Sequence, residues 1–443
     1  MSTGRFVNFS MPLRRGWPAV VLAAMMAGPA PAYAQEIPVA PDVVDLPALL
    51  RLVRDASPRL AAERQAVAGA EANRITAGAY PNPTLNYGQF RPRGGQATLF
   101  EGSRQEQANV EVPLLIAGQR SARIERAERE IEAARARVDS GASSLSAEAG
   151  AAFVALLAAQ EKAALVLGAN EELARLRNIV AGREASGMAT RYDLTRLDVE
   201  LGGSRAKLEE AKADVSDRSG NLAALVGLPN WRPKAAGKFS PMALGAGAFT
   251  GPRDRAVTSP ATVAALLDET AAQSGIDVAR RERWPNTSVT AGRTWTSDPF
   301  GGANYLGLSV EVPIFDTRRG PLAKAEADAI TATLRRELAQ AEVAANLERL
   351  ANVIAARQAA LQSFERDAAS QLPALKQMAE DAYRLGRSSI LELLDSTRSR
   401  YDLLQTRIEL IAALYDAQLR FLATSGDLER SLGLPAPESA KSK

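Results

Sequence analysis

NVEVPLLIAGQR (residues 109–120) and SVEVPIFDTRRG (309–320) carry the same four-residue core at the same kind of boundary. Upstream of each, apolar and polar residues alternate. Ala108, Val110 and Val112 oppose Gln107, Asn109 and Glu111, and Leu306, Leu308, Val310 and Val312 oppose Tyr305, Gly307, Ser309 and Glu311. This is the period of a strand with two unlike faces. Downstream the period changes. Ile124, Ala127, Ile131, Ala134 and Val138, and again Leu334, Leu338, Ala341 and Ala345, step by three and four, the rhythm of helices packed in a coiled coil. Pro113 and Pro313 stand between the two patterns and fit strand ends, because proline cannot donate to a ladder.

Three further anchors recur in the same order. Tyr80-Pro81-Asn82-Pro83-Thr84-Leu85 resembles Trp284-Pro285-Asn286-Thr287-Ser288-Val289; Gly187 precedes Asp193 by six residues as Gly386 precedes Glu392; and Ser219-Gly220-Asn221-Leu222…Gly227 is matched with Ser425-Gly426-Asp427-Leu428…Gly433. Four collinear pairs imply an internal duplication. The expected organisation is a signal peptide over 1–34, a first repeat over 35–227, a Pro- and Gly-rich linker over 228–258, a second repeat over 259–435 and a disordered tail over 436–443. Each repeat holds a helical segment (46–79, 260–283) that stops at Pro-Asn. A strand hairpin follows (83–113, 285–313), then a helix of about 65 residues, a glycine break and a second long helix (120–227, 320–432).

Composition closes off other classes. The 443 residues contain no cysteine and no histidine, which removes disulfides, thiolate metal sites, and the commonest metal ligand and general base. With 54 basic against 51 acidic residues there is no broad basic field for nucleic acid. No phosphate loop or nucleophile motif is present, so neither an enzyme nor a bound cofactor or metal is expected. Arg14 and Arg15, the apolar run Trp17–Met26 and Ala32-Tyr33-Ala34 read as an export signal, a signal anchor being the alternative. Beyond residue 34 no transmembrane helix is expected.

Strands of this length with one apolar face suit the wall of a membrane barrel, or a half-buried hairpin on a soluble domain. RPRGGQATLFEG (91–102) and SDPFGGAN (297–304) read as surface loops between them. In a membrane the barrel must close, and four strands per chain cannot close one, so several copies are then required. A 65-residue helix is about 100 Å long, too long for a compact domain, and belongs in a bundle or an oligomeric tube.

The duplicated order, the Pro-Asn before the first strand, the VEVP ending followed by GQRSARIERAERE, and the glycine-centred helix breaks resemble the TolC-type outer-membrane efflux proteins. The wording of PNPTLNYG and GQRSARIERAE is most similar to the CzcC-like outer-membrane partners of heavy-metal efflux pumps. The likeness covers about 42–435. It implies a homotrimer with a 12-stranded β-barrel in outer-membrane lipid, mounted on a mainly α-helical periplasmic tunnel. It also implies docking, through a periplasmic adaptor, onto an inner-membrane pump of RND type, with heavy-metal cations or small toxic compounds exported passively. The outer-membrane channel of a type I secretion system has the same fold. A soluble periplasmic coiled-coil adaptor is the more distant alternative, having one helical hairpin where this chain has two.

Gly187-Met188-Ala189-Thr190 and Gly386-Arg387-Ser388-Ser389 read as helical turns, with Thr190 and Ser388 as N-caps. The resemblance places both at the periplasmic tip, where an adaptor docks. Glu392 and Asp395 are three apart and share a helix face. The resemblance assigns them to acidic rings at a closed periplasmic aperture, and Asp193 and Tyr383 to a latch between the tips. Ser388 stands where an arginine is common in the family, with Arg387 adjacent. Glu111 and Glu311 fall on the polar strand face and are expected in the lumen, while Pro113 and Pro313 mark the passage from barrel to tunnel.

Overall fold

The structure, a computed structural model, describes residues 40–91, 104–243, 246–296 and 301–434. The signal peptide, the tail and most of the two strand-connecting loops lie outside these residues. The strands are β1 (Val43–Val44), β2 (Thr84–Phe90), β3 (Gln105–Leu114), β4 (Lys234–Ala235), β5 (Thr287–Thr296) and β6 (Gly302–Val310). The four longer strands make one antiparallel sheet in the order β2-β3-β5-β6, and β1 pairs in parallel with β4. The two hairpins are thus joined through β3 and β5, and β2 and β6 are open edges.

Register gathers the alternating residues into rows. Leu85, Val110, Ala291 and Leu306 lie side by side, as do Val112, Val289 and Leu308, and all share one face. On the other face Asn86 donates to Asn109 (3.0 Å), Gln107 to the Tyr305 hydroxyl (2.6 Å) and Ser288 to Glu111 (2.6 Å), while Asn286 just before β5 donates to Glu311 (2.6 Å). Arg293 interrupts the apolar face, and its guanidinium lies over the Trp295 ring at 5.6 Å. At Gly292 a Cβ would stand 2.7 Å from the Ala108 carbonyl oxygen, so only glycine fits this row.

The two VEVP junctions are not equivalent, which corrects their reading as matching strand ends. Pro113 lies inside β3, opposite Ser288, whereas Pro313 lies beyond β6, which ends at Val310. β2 pairs with β3 only as far as Glu111, so β3 has a neighbour on one side only at Pro113 and tolerates the missing N–H.

The helices are α1 (Leu46–Ala56), α2 (Pro58–Gly78), α3 (Gln119–Ala185), α4 (Arg191–Val226), α5 (Pro252–Val257), α6 (Pro260–Arg281), α7 (Arg319–Asp367), α8 (Leu372–Arg384), α9 (Ile390–Ser425) and α10 (Leu428–Ser431). α3 runs unbroken for 67 residues, as expected. Two other expectations fail at proline. The segment 46–79 divides at Ser57-Pro58, and the second helix of about 65 residues divides into α7, a 3-10 turn (Ala369–Gln371) and α8. Pro373 sits in the first turn of α8 and has no N–H to carry an α-helical ladder back through 369.

Beneath the sheet, α2 packs on α3, α3 on α6 and α6 on α7, repeating the order of the strands. Ion pairs lace this wall: Arg74–Glu128 (2.7 Å) and Arg135–Glu71 (3.0 Å) between α2 and α3, Arg123–Glu282 (2.9 Å) and Arg137–Asp268 from α3 to the α6 side, and Arg336–Glu269 (2.6 Å) between α6 and α7. Farther from the sheet, α3 packs against α4 and α9.

The waist holds the main core, where Leu49 and Leu50 of α1 meet Phe153 and Leu156 of α3, Leu222 of α4 and Leu419 of α9. One part of α3 is long and apolar enough to cross a membrane by length and composition alone. Phe153, Val154, Leu156 and Leu157 account for such a stretch as bundle core. The linker is strapped to the waist. Gln160 accepts from the Ala235 N–H (2.9 Å) and Gln418 from that of Met242 (2.8 Å), while the Trp231 indole donates to the Pro41 carbonyl (2.9 Å).

The last sequence anchor is out of register with the helices. Gly220 is inside α4, whereas Gly426 ends α9; the counterpart of Gly426 is Gly227, which ends α4. Both take positive φ (85° and 81°), and each abuts the proline that starts a wall helix, Pro58 of α2 or Pro260 of α6.

Candidate functional site

The end remote from the sheet consists of two helical turns built alike. At the first, Gly187 adopts φ 72°, its N–H donates to the Glu184 carbonyl (2.9 Å) and that of Met188 to Arg183 (2.8 Å). At the second, Gly386 adopts φ 70°, its N–H donates to Tyr383 (3.0 Å) and that of Arg387 to Ala382 (2.8 Å). Glycine is required at both, since a side chain disfavours this left-handed conformation.

The next helix starts alike in each turn. The Thr190 hydroxyl accepts from the Asp193 N–H (3.2 Å) while the Asp193 carboxylate accepts from the Thr190 N–H (3.0 Å). Ser389 and Glu392 make the same reciprocal pair at 3.2 and 3.1 Å. These are capping boxes, and they explain the shared glycine-to-acid spacing. They also correct one cap, because Ser389 and not Ser388 caps α9. Ala189 is partly buried between the tip residues, and Met188 and Arg387 are exposed.

Glu392 therefore has a structural task in addition to its charge. Both it and Asp395, one turn on, are exposed. Asp193 is engaged by Thr190, and Tyr383 finds a different partner. Arg183 donates to the Tyr383 carbonyl (2.8 Å) and its guanidinium covers the Tyr383 ring at 4.9 Å. Burial pushes the Tyr383 phenol above its ordinary pKa, a shift that the Arg183 charge opposes and the nearby Asp193 charge reinforces. The two tips are thus joined through Arg183, with Asp193 close by. A small apolar cluster that includes Leu176, Val180, Leu197, Tyr383, Ile390 and Leu393 lies behind them.

Above the tips is a buried charge cluster. Glu172 of α3, with its side chain 7 % exposed, accepts from Arg400 of α9 (2.6 Å) and lies 3.3 Å from the Lys376 ammonium of α8. Tyr401 donates to the same carboxylate at 3.4 Å. Burial pushes the Glu172 carboxyl up, but Arg400 and then Lys376 outweigh it and hold the group below its ordinary pKa. Burial, with the Glu172 charge second, pushes the Tyr401 phenol up to about 12. Sequence reasoning missed Arg183, Glu172, Lys376 and Arg400. A signal existed for two of them: Glu172 continues the Leu176–Val180 step of four, and Arg400 extends Leu393–Thr397, so each places a charge in an apolar seam.

At the opposite end, Glu111 lies on the polar face of the sheet, Glu311 just beyond the end of β6 where it accepts from Asn286, and Pro113 and Pro313 at the base of the sheet. Among the described residues no group of three or more acidic side chains is arranged to hold a metal ion.

Known proteins share this architecture. The family model described as outer membrane efflux protein matches residues 49–228 and again 253–427. The chain is similar to the cobalt-zinc-cadmium resistance protein CzcC of Cupriavidus metallidurans, with 25% identity over 386 residues, covering 83% of this chain and 86% of that one. The nickel-cobalt-cadmium resistance protein NccC of Alcaligenes xylosoxydans xylosoxydans is 28% identical over 59% of each chain. In three dimensions the outer membrane protein VceC of Vibrio cholerae superimposes with a TM-score of 0.69 at 18% identity, covering 88% of this chain and 97% of that one.

Proposed function

This chain belongs to the outer membrane efflux protein family, and we propose that it is the passive exit duct of a three-part export machine whose cargo is heavy-metal cations. The observation that carries the duct is the open four-stranded sheet, apolar on one face and hydrogen-bonded on the other, continuous with long helices, of which α3 alone is about 100 Å long. Such a sheet leaves unpaired backbone at β2 and β6, which lipid does not tolerate, so copies of the chain complete the wall. Three copies give twelve strands, within the usual range of membrane barrels.

The two family matches and the paired tips support a duplicated unit, with repeats over 35–227 and 259–435, a linker over 228–258, a leader over 1–34 and a tail over 436–443. The tips at Gly187-Met188-Ala189-Thr190 and Gly386-Arg387-Ser388-Ser389 are the docking points for a periplasmic adaptor, which connects the duct to an inner-membrane pump of RND type. Glu392 and Asp395 line the periplasmic aperture, held narrow where Tyr383 meets Arg183 beside Asp193. Glu111 and Glu311 face the lumen, the apolar rows face outer-membrane lipid, and Pro113 and Pro313 mark the change from barrel to tunnel.

Metal cargo rests on the two relatives, both of which are metal-resistance proteins. The duct only conducts, so selection of the ion belongs to the pump. In a strain deleted for this gene, the expected outcome is accumulation of zinc, cobalt or cadmium, reversed by the wild-type chain. Unchanged content of all three metals would remove the cargo assignment and leave the duct standing.

A further inference from the structure

Two grooves distinguish the faces of the helical wall. One is lined by Ala272 of α6 and by Asp328 and Arg335 of α7, the other by Arg253 of α5 and by Glu337 and Gln340 of α7. Glu337 follows Asp328 by about two and a half helical turns, so the grooves open on opposite faces of the wall. Arg281 follows Ala272 by the same interval on α6 and is turned to the α5 side. Arg319 precedes Glu337 by about five full turns and lies on that side too. In the duct proposed above the α5 side is the outer one, because an element added on the inner side would fill the bore.

Both arginines stand at the foot of the sheet. Arg281 ends α6 shortly before β5, and Arg319 opens α7 shortly after β6. The Arg281 guanidinium donates to the Ala117 carbonyl (3.4 Å), just beyond the end of β3. Exposed apolar side chains hang below the apolar rows here: Ile116, Trp284 and Phe315 are 62, 60 and 101 % exposed. Arg283 and Arg319 are exposed as well. The carboxylates nearest to these arginines in sequence are already engaged. Glu282 pairs with Arg123 (2.9 Å), Asp277 with Arg280 (3.6 Å), and Asp316 accepts from the Arg318 N–H (2.8 Å). The foot of the sheet is therefore an apolar fringe bordered by guanidinium charge that no neighbouring carboxylate neutralises.

We propose that Arg281, Arg283 and Arg319 form a collar that binds the phosphates of anionic phospholipid in the periplasmic leaflet of the membrane, with Ile116, Trp284 and Phe315 seated among the acyl chains next to the headgroups. Guanidinium matches phosphate oxygens two at a time, and an amphipathic ring such as that of Trp284 sits at headgroup level. A zwitterionic lipid also brings an ammonium, for which the collar has no free carboxylate, so net negative lipid is preferred. The proposal rests on the membrane-spanning duct above and names the lipid class held at its rim.

The full-length oligomer is reconstituted into bilayers of phosphatidylethanolamine with and without a minor share of phosphatidylglycerol, then extracted, and the lipids it retains are counted by native mass spectrometry. The wild type should retain phosphatidylglycerol in preference to phosphatidylethanolamine. The Arg281→Gln, Arg283→Gln double variant should retain at least about fivefold less of it. Arg129→Gln, farther from the sheet on α3 and paired with Glu132, should change nothing. Because Arg281 also holds the Ala117 carbonyl, Arg283→Gln is read alone as well and should lower retention, and Arg283→Lys should restore part of it. Equal retention of the two lipids by the wild type, or equal retention of phosphatidylglycerol by wild type and collar variants, from chains that insert in the bilayer, would overturn the collar and leave the duct standing. A wild-type chain that does not insert would overturn both.

Discussion

The two long helical hairpins follow one plan until about 20 Å above their tips, and there they part. In the first, α3 descends without interruption to Gly187. In the second, the chain breaks at 368–371, and the separate 13-residue helix α8 completes the descent to Gly386. The turns themselves are almost superimposable in chemistry, with left-handed glycines and capping boxes at both. The asymmetry therefore lies in how each turn is attached. The first tip is the end of a continuous rod. The second hangs from α8, which reaches α3 through Lys376 on Glu172 and through Tyr383 on Arg183. The first tip therefore ends a single rod, whereas the second is tied to it by these polar contacts and by the apolar cluster around Tyr383.

The largest expected effect breaks that difference at Glu172. Glu172→Ala leaves Arg400 buried without its carboxylate and should cost about 3 kcal/mol of local stability. Hydrogen exchange should rise throughout α8 while α3 near Gly187 stays protected; equal protection in both would show that α8 is not pinned there. The same carboxylate gives a pH signature. Its folded pKa is depressed, so its stabilisation is present above the ordinary value of 4.5 and is lost as pH falls through the lower, folded one. Acidification below about pH 4.5 should loosen α8 in the wild type and have less effect in Glu172→Gln.

An intermediate effect separates the repeats at the waist. At Gly227 an added Cβ would lie 2.6 Å from Pro58, and at Gly426 2.9 Å from Pro260, both at positive φ. Gly227→Ala should cost about 2 kcal/mol and Gly426→Ala about 1, read as thermal shifts. The reverse order would mean that the Pro58 side yields more easily.

The smallest effect should show no difference between repeats. Thr190→Ala and Ser389→Ala each remove one capping hydroxyl and should cost about 1 kcal/mol. Unequal costs would place part of the asymmetry in the turns themselves.

Much of this was legible in the sequence because it is written in periods. Alternation at 107–112 and 305–310 marks both strands and their faces, although the second pattern runs on past Val310, where β6 ends, and the three-four rhythm after Gly118 matches the 67-residue helix. What escaped was non-periodic. Pro373 falls within an otherwise helical pattern, and the period of that pattern carries no mark of the break the proline forces ahead of α8. The Glu172–Arg400 pair spans 228 residues, and only the fold brings its members together. The glycine-to-acid spacing at the tips is visible in the sequence, but its cause, a capping box, gives Glu392 a task that a ring of charges alone does not explain.

That double role makes the aperture the most direct test. Glu392→Gln keeps the oxygen that accepts from Ser389 and removes the charge, and Asp395→Asn removes the second. In planar lipid bilayers the wild-type oligomer should conduct weakly and be blocked by a trivalent cation added on the side of the tips. The doubly substituted channel should conduct while losing most of that block. Equal block in both channels would contradict an acidic aperture at the second tip.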